Sequence, residues 1–250
     1  MTATDSLPSI ARRDLLKGAA ALIVRINLPA AALLSAGKAS ARIATRRLNP
    51  AELDTWLAVA ANGRVTGYWG KMDMGQGVDT AIAQIIAEEL DVDVDEVDIV
   101  SGDSALCADQ GGASGSTGLQ RSGVAFRAAA AEARLVLLEK AAAELGVALD
   151  KLDVINGIVI ANGQPTALSY ASLVGDGLFD AAIEWNGRYG NNLELKGRAT
   201  PKSPSQYRVV GTSVPRKDIR GKILARTLYL HDLNLPGMLH GRLVRPVNAG

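Results

Sequence analysis

The sequence has few of the residues that usually bind metals or form covalent links. Its 250 residues include one cysteine, Cys107, and two histidines, His231 and His240. A single cysteine cannot form an internal disulfide or hold an iron–sulfur cluster, and two histidines are too few for a histidine-rich metal site. Redox or metal chemistry would therefore require a pterin-type ligand or a partner protein.

Aromatic residues and net charge are also scarce. Aromatic residues make up 4% of the chain, and the formal net charge is +1. Because nucleic-acid binding usually leaves a basic footprint, we expect no nucleic-acid partner. The hydrophobic content of 48% is ordinary for a soluble globular chain, and the length allows one or two domains.

The N-terminal residues resemble an export signal. The pair Arg12-Arg13 precedes an alanine-rich apolar stretch, and Ala39-Ser40-Ala41 fits the small-residue cleavage pattern. We expect residues 1–41 to be a twin-arginine signal, with the protein in the periplasm, either free or associated with the membrane. The alternative is an N-terminal helix with a chance arginine pair. Arg25 interrupts the apolar stretch and argues against a transmembrane span.

Apolar spacing predicts mixed α/β layers with hairpins, an α+β fold. Asn62-Gly63 lies between two apolar runs, which favours a hairpin. From Val78 to Leu90 apolar residues recur at helical spacing, with Glu88 and Glu89 expected on the outer face. The pattern further predicts a strand at residues 97–100 and a long loop at residues 101–118. It also predicts a long helix with one apolar stripe at residues 124–145 and a second hairpin at residues 154–160.

Two small-residue bends each precede a predicted helix. We call residues 75–77, Gly-Gln-Gly, the first bend, and the Gly- and Ser-rich residues 111–118 the second bend. Glycine allows close approach of a ligand, and a helix N-terminus offers unpaired N–H donors at the positive end of its dipole. We therefore expect the two bends to hold one large cofactor from two sides.

Both bends also allow an interpretation without a ligand. The first could be a tight turn without a ligand, since Thr80 stands where a dinucleotide fingerprint needs its third glycine. The second could be a flexible connection in which Ser116 and Thr117 cap the following helix. A serine hydrolase is excluded, because the segment around Ser114 ends in serine where the nucleophile elbow needs glycine.

Taken in order, these segments resemble the molybdopterin-binding segments of the xanthine dehydrogenase and aldehyde oxidase family. The resemblance is strongest to the large subunit of isoquinoline 1-oxidoreductase-type enzymes, which begins with a twin-arginine signal. The segments that carry it are residues 70–81, 87–90, 109–116 and 127–134. Two further segments, residues 208–218 and 235–246, resemble the start of a hammerhead domain.

The resemblance implies a division of the chain. We expect a signal segment, the first part of a molybdopterin-binding domain, a Gly- and Pro-rich linker and a truncated start of a hammerhead domain. These are residues 1–41, 42–186, 187–206 and 207–250. The chain would then be the N-terminal portion of a large subunit, inactive by itself. The alternatives are a non-catalytic remnant or assembly module that needs a second fragment, and a nucleotide-binding protein.

The resemblance also implies a cofactor and a reaction. Such enzymes hold a molybdenum–molybdopterin cytosine dinucleotide and oxidise an N-heterocycle or an aldehyde with oxygen from water. Electrons leave through a small two-cluster iron–sulfur subunit, and a cytochrome is a further candidate acceptor. Six residues match the family's cofactor-binding positions: Gly75, Gln76, Gly77, Gly115, Ser116 and Thr117.

The sequence departs from the family pattern in two ways. Gly118 stands where a second serine often follows Ser116, so one side-chain donor is lost. The family's catalytic glutamate has no counterpart among these residues, and we therefore assign no catalytic residue and no metal ligand. The identity of the substrate does not follow from the sequence.

Overall fold

The computed structural model describes residues 48–174 and 178–244. The expected signal at residues 1–41 lies outside these described residues. The chain divides into two compact units, with the boundary between Val214 and Pro215. No helix among the described residues has the length and apolar character needed to cross a membrane.

A three-stranded sheet and one crossover helix form the centre of the first unit. Strands β1 (Leu57–Val59), β2 (Val65–Trp69) and β3 (Val97–Ser101) lie side by side in that order. The pair β1–β2 is antiparallel and is closed by Asn62-Gly63, so the predicted hairpin is confirmed. Strands β2 and β3 are parallel, joined through helix α1 (Val78–Leu90) in a single βαβ unit.

Helix α2 (Val124–Leu145) follows a π-helical turn at Gly118–Gly123 and packs beside α1. It ends at Gly146 with φ 65°, as predicted. The single stripe expected from Val124 is too narrow: Val124 is exposed, while most of the helix circumference is buried. The core between α1, α2 and the sheet includes Leu53, Trp56, Trp69, Ile82, Ile86, Leu90, Phe126 and Leu137.

A second sheet is an antiparallel meander. It consists of β4 (Leu152–Ile155), β5 (Ile158–Ala161) and β6 (Gln164–Ser169), followed by the short helix α3 (Tyr170–Val174). The hairpin β4–β5 is confirmed. Strand β6 was not predicted from the sequence, because it lies at the edge of the sheet, has no buried residue and so lacks an apolar alternation.

The segment predicted as a linker, residues 187–206, lies within the first unit. Strand β7 (Glu184–Trp185) pairs with β8 (Leu195–Lys196), and Leu193 is buried in the core. The domain boundaries drawn from the sequence stay a prediction.

The expectation that Glu88 and Glu89 lie on the outer face of α1 is wrong, since each is only 2% exposed. The Glu88 carboxylate accepts hydrogen bonds from the N–H groups of Arg208, Val209 and Val210, at 2.9, 2.6 and 2.9 Å. The physical reason for the burial is that the backbone of residues 208–210 covers the helix and satisfies the charge.

The last turn of α1 gathers further charges. Asp91, just past the helix, accepts from Arg134 at 2.8 Å and from Lys202 at 2.5 Å, and it also pairs with Arg208. Glu89 accepts from the backbone N–H of Lys202 at 3.0 Å. This charge network ties residues 202–210 to the C-terminal end of α1.

The second unit is described from residue 215 to residue 244, and no strand occurs in that range. It contains helix α4 (Ile219–Ile223). Hydrogen bonds from Arg216 and Lys222 hold the pKa of Asp218, at the start of this helix, well below its usual range. The expected hammerhead start stays a prediction.

The hydrogen bonds of Glu88 generate a prediction about acid stability. Burial raises the pKa of Glu88, but the backbone N–H groups of Val209, Val210 and Arg208 and the charge of Lys202 outweigh it, and the pKa lies below 4.5. Its stabilisation is therefore complete above pH 4.5 and is lost as the pH falls through the lower, folded-state pKa.

We expect Glu88→Gln to lower the free energy of unfolding at pH 7 by about 2 kcal/mol, because hydrogen bonds to a charged acceptor are replaced by bonds to a neutral one. The loss of stability on acidification below pH 4.5 should also become shallower. Denaturant titrations from pH 3 to 7 measure both effects, with the exposed Glu144→Gln as the matched control. Equal pH profiles for Glu88→Gln and the wild type would contradict the assignment.

Candidate functional site

The parallel pairing of β2 and β3 explains why the two bends come together. Trp69, the last residue of β2, pairs with Ser101, the last residue of β3. The segments that leave these two strands therefore start at the same edge of the sheet, which is where open α/β sheets bind ligands. The first bend lies on the segment after β2, and the second bend lies on the segment after β3.

Direct contacts join the two segments. A Cβ atom at Gly70 would lie 1.8 Å from the carbonyl oxygen of Ala108, so only glycine allows this close approach. The Gln110 side chain donates from Nε2 to the carbonyl oxygen of Tyr68 at 3.2 Å. At the helix starts, a Cβ at Gly118 would lie 3.7 Å from the Val78 side chain. The two bends are thus neighbours.

A buried lysine, Lys71, connects the two segments. Its side chain is only 3% exposed, and Nζ donates to the carbonyl oxygen of Gly112 at 3.0 Å, to Oγ1 of Thr117 at 3.2 Å, and to Oδ1 of Asn191. Burial lowers the pKa of Lys71, and the charge of Asp109 opposes this shift. The sequence analysis missed Lys71, although a lysine directly after an apolar strand and before a glycine-rich bend is a usable signal.

The first bend caps its own helix. The Asp73 carboxylate accepts from the N–H groups of Gly75 at 2.7 Å, Gly77 at 3.2 Å and Asp79 at 3.2 Å. The expectation of unpaired donors at this helix start is therefore wrong for Gly75 and Gly77. An aspartate just before a helix satisfies the first N–H groups and complements the helix dipole.

Gln76 lies at the tip of the first bend and is exposed. Its Oε1 accepts from the N–H of Met74 at 2.7 Å, which turns the side chain back over the bend. Within the described part of the chain, the amide Nε2 and the backbone N–H of Gln76 have no acceptor. Both donors are available to a ligand.

The second bend has more available donors. Gly115 and Ser116 have φ values of 57° and 58°, and among the described residues their N–H groups have no acceptor. Thr117 uses its hydroxyl to close the bend, donating to the carbonyl oxygen of Ser114 at 2.7 Å, and it does not cap the following helix. Two consecutive exposed N–H groups form a suitable binding surface for an anion.

A buried donor without a partner lies beneath the second bend. The indole Nε1 of Trp69 has no hydrogen-bond partner in the described residues, although this side chain is fully buried. A Cβ at Gly118 would lie 3.6 Å from the same indole ring. Unsatisfied buried polar atoms are rare and often mark functional positions.

One cavity lies away from the two bends. It has a volume of about 310 Å³ and lies near the C-terminal end of α1, lined in part by Glu88, Asp91 and Arg208. A cavity of about 10 Å³ lies beside Gln110 and Ser122. Neither of these two cavities is lined by residues of the bends. Gln76, Gly115 and Ser116 are themselves exposed.

Carboxylates buried in the described part of the chain are engaged in structural contacts. Glu132, for example, accepts from the N–H of Arg198 at 2.6 Å and from its guanidinium at 2.7 Å. The described residues contain no group of three His, Cys, Asp or Glu side chains that could hold a metal ion.

The comparisons with known proteins agree with the resemblance. A model of the molybdopterin cofactor-binding domain family matches residues 30–216. The chain belongs to this family. The recognition of a xanthine dehydrogenase-type molybdopterin-binding subunit is confirmed, and all six predicted site residues fall inside the matched range.

Two relatives illustrate the match. The chain is 42% identical over 199 residues to one subunit of the nicotinate dehydrogenase of Pseudomonas putida. It is 29% identical over 231 residues to the beta subunit of the isoquinoline 1-oxidoreductase of Brevundimonas diminuta. These matches cover 80% and 79% of the chain but only 16% and 29% of the relatives, so the chain spans less than a third of their length.

A solved structure gives a weaker likeness. Carbon monoxide dehydrogenase from Oligotropha carboxidovorans is 27% identical over 47% of the chain and 15% of its own length, with a TM-score of 0.43. This likeness is too limited to carry an argument.

The described residues fit a phosphate-bearing pterin cofactor. The available donors are backbone N–H groups and one amide, which suit phosphate oxygens and polar ring edges. They belong to Gln76, Gly115 and Ser116, three of the six predicted positions. Of the other three, Gly75 and Gly77 donate to the Asp73 carboxylate and Thr117 donates to the carbonyl oxygen of Ser114. The assignment of all six residues to the cofactor stays a prediction.

Proposed function

We propose that this chain holds one side of a molybdenum–molybdopterin cytosine dinucleotide in the large subunit of a molybdenum hydroxylase. The observation that carries the proposal is the adjacency of the two bends, with available donors on both, at the carboxyl edge of a parallel strand pair. When bound, this cofactor supplies the oxidation of an electron-poor carbon with oxygen from water.

In this proposal, residues of the chain bind and orient the cofactor. The N–H groups of Gly115 and Ser116 donate to a phosphate of the dinucleotide, and Nε2 of Gln76 donates to a second polar group of the same cofactor. Asp73 fixes the first bend in advance, which lowers the entropic cost of binding. Because Asp73 also brings a negative charge to the first bend, we place the phosphate at the second bend.

Substrate and electron partners follow from the family. We propose an N-heterocycle or an aldehyde as substrate, in keeping with relatives named nicotinate dehydrogenase and isoquinoline 1-oxidoreductase. Electrons would pass to a small two-cluster iron–sulfur subunit and then to an acceptor such as a cytochrome. The single cysteine of these 250 residues cannot hold such clusters, which supports a partner subunit as their carrier.

A second candidate is a non-catalytic assembly module. The observation that favours it is that Gln76, Gly115 and Ser116 are exposed. In this alternative the exposed donors would bind backbone carbonyls of a second protein fragment.

The experiment that separates the two candidates measures metal content. We expect the assembled enzyme, purified with its partner subunits, to contain molybdenum. We expect Gln76→Ala to bind the cofactor about fivefold more weakly, because one hydrogen bond is worth about 1 kcal/mol. Elemental analysis and cytidine monophosphate release measure the bound cofactor. The exposed Gln164→Ala, on the edge strand β6, is the matched control.

Two results would count against the proposal. Wild-type assembled protein without molybdenum would favour the assembly module. Unchanged molybdenum content and turnover in Gln76→Ala would remove Gln76 from the cofactor site.

We propose that the protein is exported to the periplasm by the twin-arginine route. The order of the arginine pair, apolar stretch and cleavage triplet supports this. Replacing Arg12 and Arg13 by lysine should retain the protein in the cytoplasm, as measured by cell fractionation. The matched control replaces the second pair, Arg46 and Arg47, and should leave export unchanged; normal export of the Arg12/Arg13 variant would defeat the proposal.

A further inference from the structure

Three segments of the chain meet at the ammonium group of Lys71. They are the segment after β2, which carries Lys71 itself, the second bend, which offers Gly112 and Thr117, and the 3-10 turn Gly190–Asn192. The third segment lies in the region that the sequence analysis assigned to a linker, and none of its residues was predicted to belong to the site.

The turn around Asn191 packs directly against the second bend. The N–H of Gly190 donates to the carbonyl oxygen of Asp109 at 3.0 Å. A Cβ at Gly111 would lie 2.6 Å from the backbone nitrogen of Asn191, so the two backbones are in close contact. This turn therefore supports one side of the second bend, while Lys71 supports it from beneath.

The ammonium group has a specific set of partners. Its three N–H groups match three oxygen acceptors, one from each of Gly112, Thr117 and Asn191. Each of these acceptors is a neutral oxygen, so none of them neutralises the charge by pairing, as a carboxylate would. A buried charge of this kind is stable only while its hydrogen bonds are all made. The conformation of the second bend and the position of Asn191 are thereby coupled.

We propose that Lys71 and Asn191 are positioning residues of the cofactor site, which together hold the second bend in the conformation that exposes the N–H groups of Gly115 and Ser116. The three acceptors of Lys71 are all protein oxygens, so its role is to position the second bend. The part of the proposal that concerns cofactor binding rests on the proposed function, whereas the part that concerns the conformation of the second bend does not.

The test is hydrogen exchange on the full chain. We expect Lys71→Met to accelerate exchange of the N–H groups of Gly111 and Thr117 about tenfold or more, because the bend opens locally. Exchange within α2 should stay unchanged. Asn191→Ala, which removes one of the three acceptors, should give a smaller acceleration at the same positions. Lys196→Met, an exposed lysine on β8, is the matched control.

A double-mutant cycle measures the coupling. The effects of Lys71→Met and Asn191→Ala on bend exchange should be less than additive, since they break the same hydrogen bond. Additive effects would overturn the proposal, as would unchanged bend exchange in Asn191→Ala. If Lys71→Met unfolds the chain, the proposal is tested by Asn191→Ala alone. Equal acceleration of hydrogen exchange in the second bend and in α2 would show a merely structural role for Asn191 and overturn the proposal.

Molybdenum content of the assembled variants gives the second readout. Opening of the bend with reduced molybdenum supports both the proposal and the proposed function. Opening of the bend with unchanged molybdenum content overturns the part of this proposal that concerns cofactor binding. The role of Gln76 is tested separately by Gln76→Ala. Lys71→Arg, which keeps the charge and offers several donors, should restore part of the lost protection.

Discussion

The parallel pairing of β2 with β3 is the constraint on which the candidate site depends. Antiparallel strands would send the segments after them to opposite edges of the sheet, whereas parallel strands bring both to one edge. Here the crossover helix α1 makes the parallel pairing possible, and Trp69 and Ser101 end the two strands side by side. The position of the two bends follows from this pairing, and the contact of Gly70 with Ala108 then fixes their separation.

In the candidate site, most N–H groups of the first bend already have hydrogen-bond acceptors, whereas the second bend has N–H groups without one among the described residues. Asp73 accepts from the N–H groups of Gly75, Gly77 and Asp79, so the donors left available by the first bend are Nε2 and the backbone N–H of Gln76. The second bend leaves N–H groups exposed and rests on the buried ammonium of Lys71. In the proposed site, binding would depend on backbone donors and not on surface cations.

Local patterns allowed much of the fold to be predicted, and long-range partners account for what was missed. The Asn-Gly pairs marked two hairpins, and the spacing from Val78 marked α1. Glu88 was placed in solvent because its hydrogen-bond donors lie about 120 residues away in sequence, at Arg208 and its neighbours. Asn191 was missed for the same reason. A local pattern can mark a lysine beside a glycine-rich bend, as at Lys71, but it does not show which distant segment will bury a charged group.

The central claim is that both bends contact the same cofactor. It is tested most directly by comparing hydrogen exchange in the assembled enzyme with and without its molybdopterin cofactor. The account predicts that residues 75–77 and residues 111–118 gain protection together when the cofactor is present, at the same fractional occupancy. Protection of only one bend, or of neither, would contradict it.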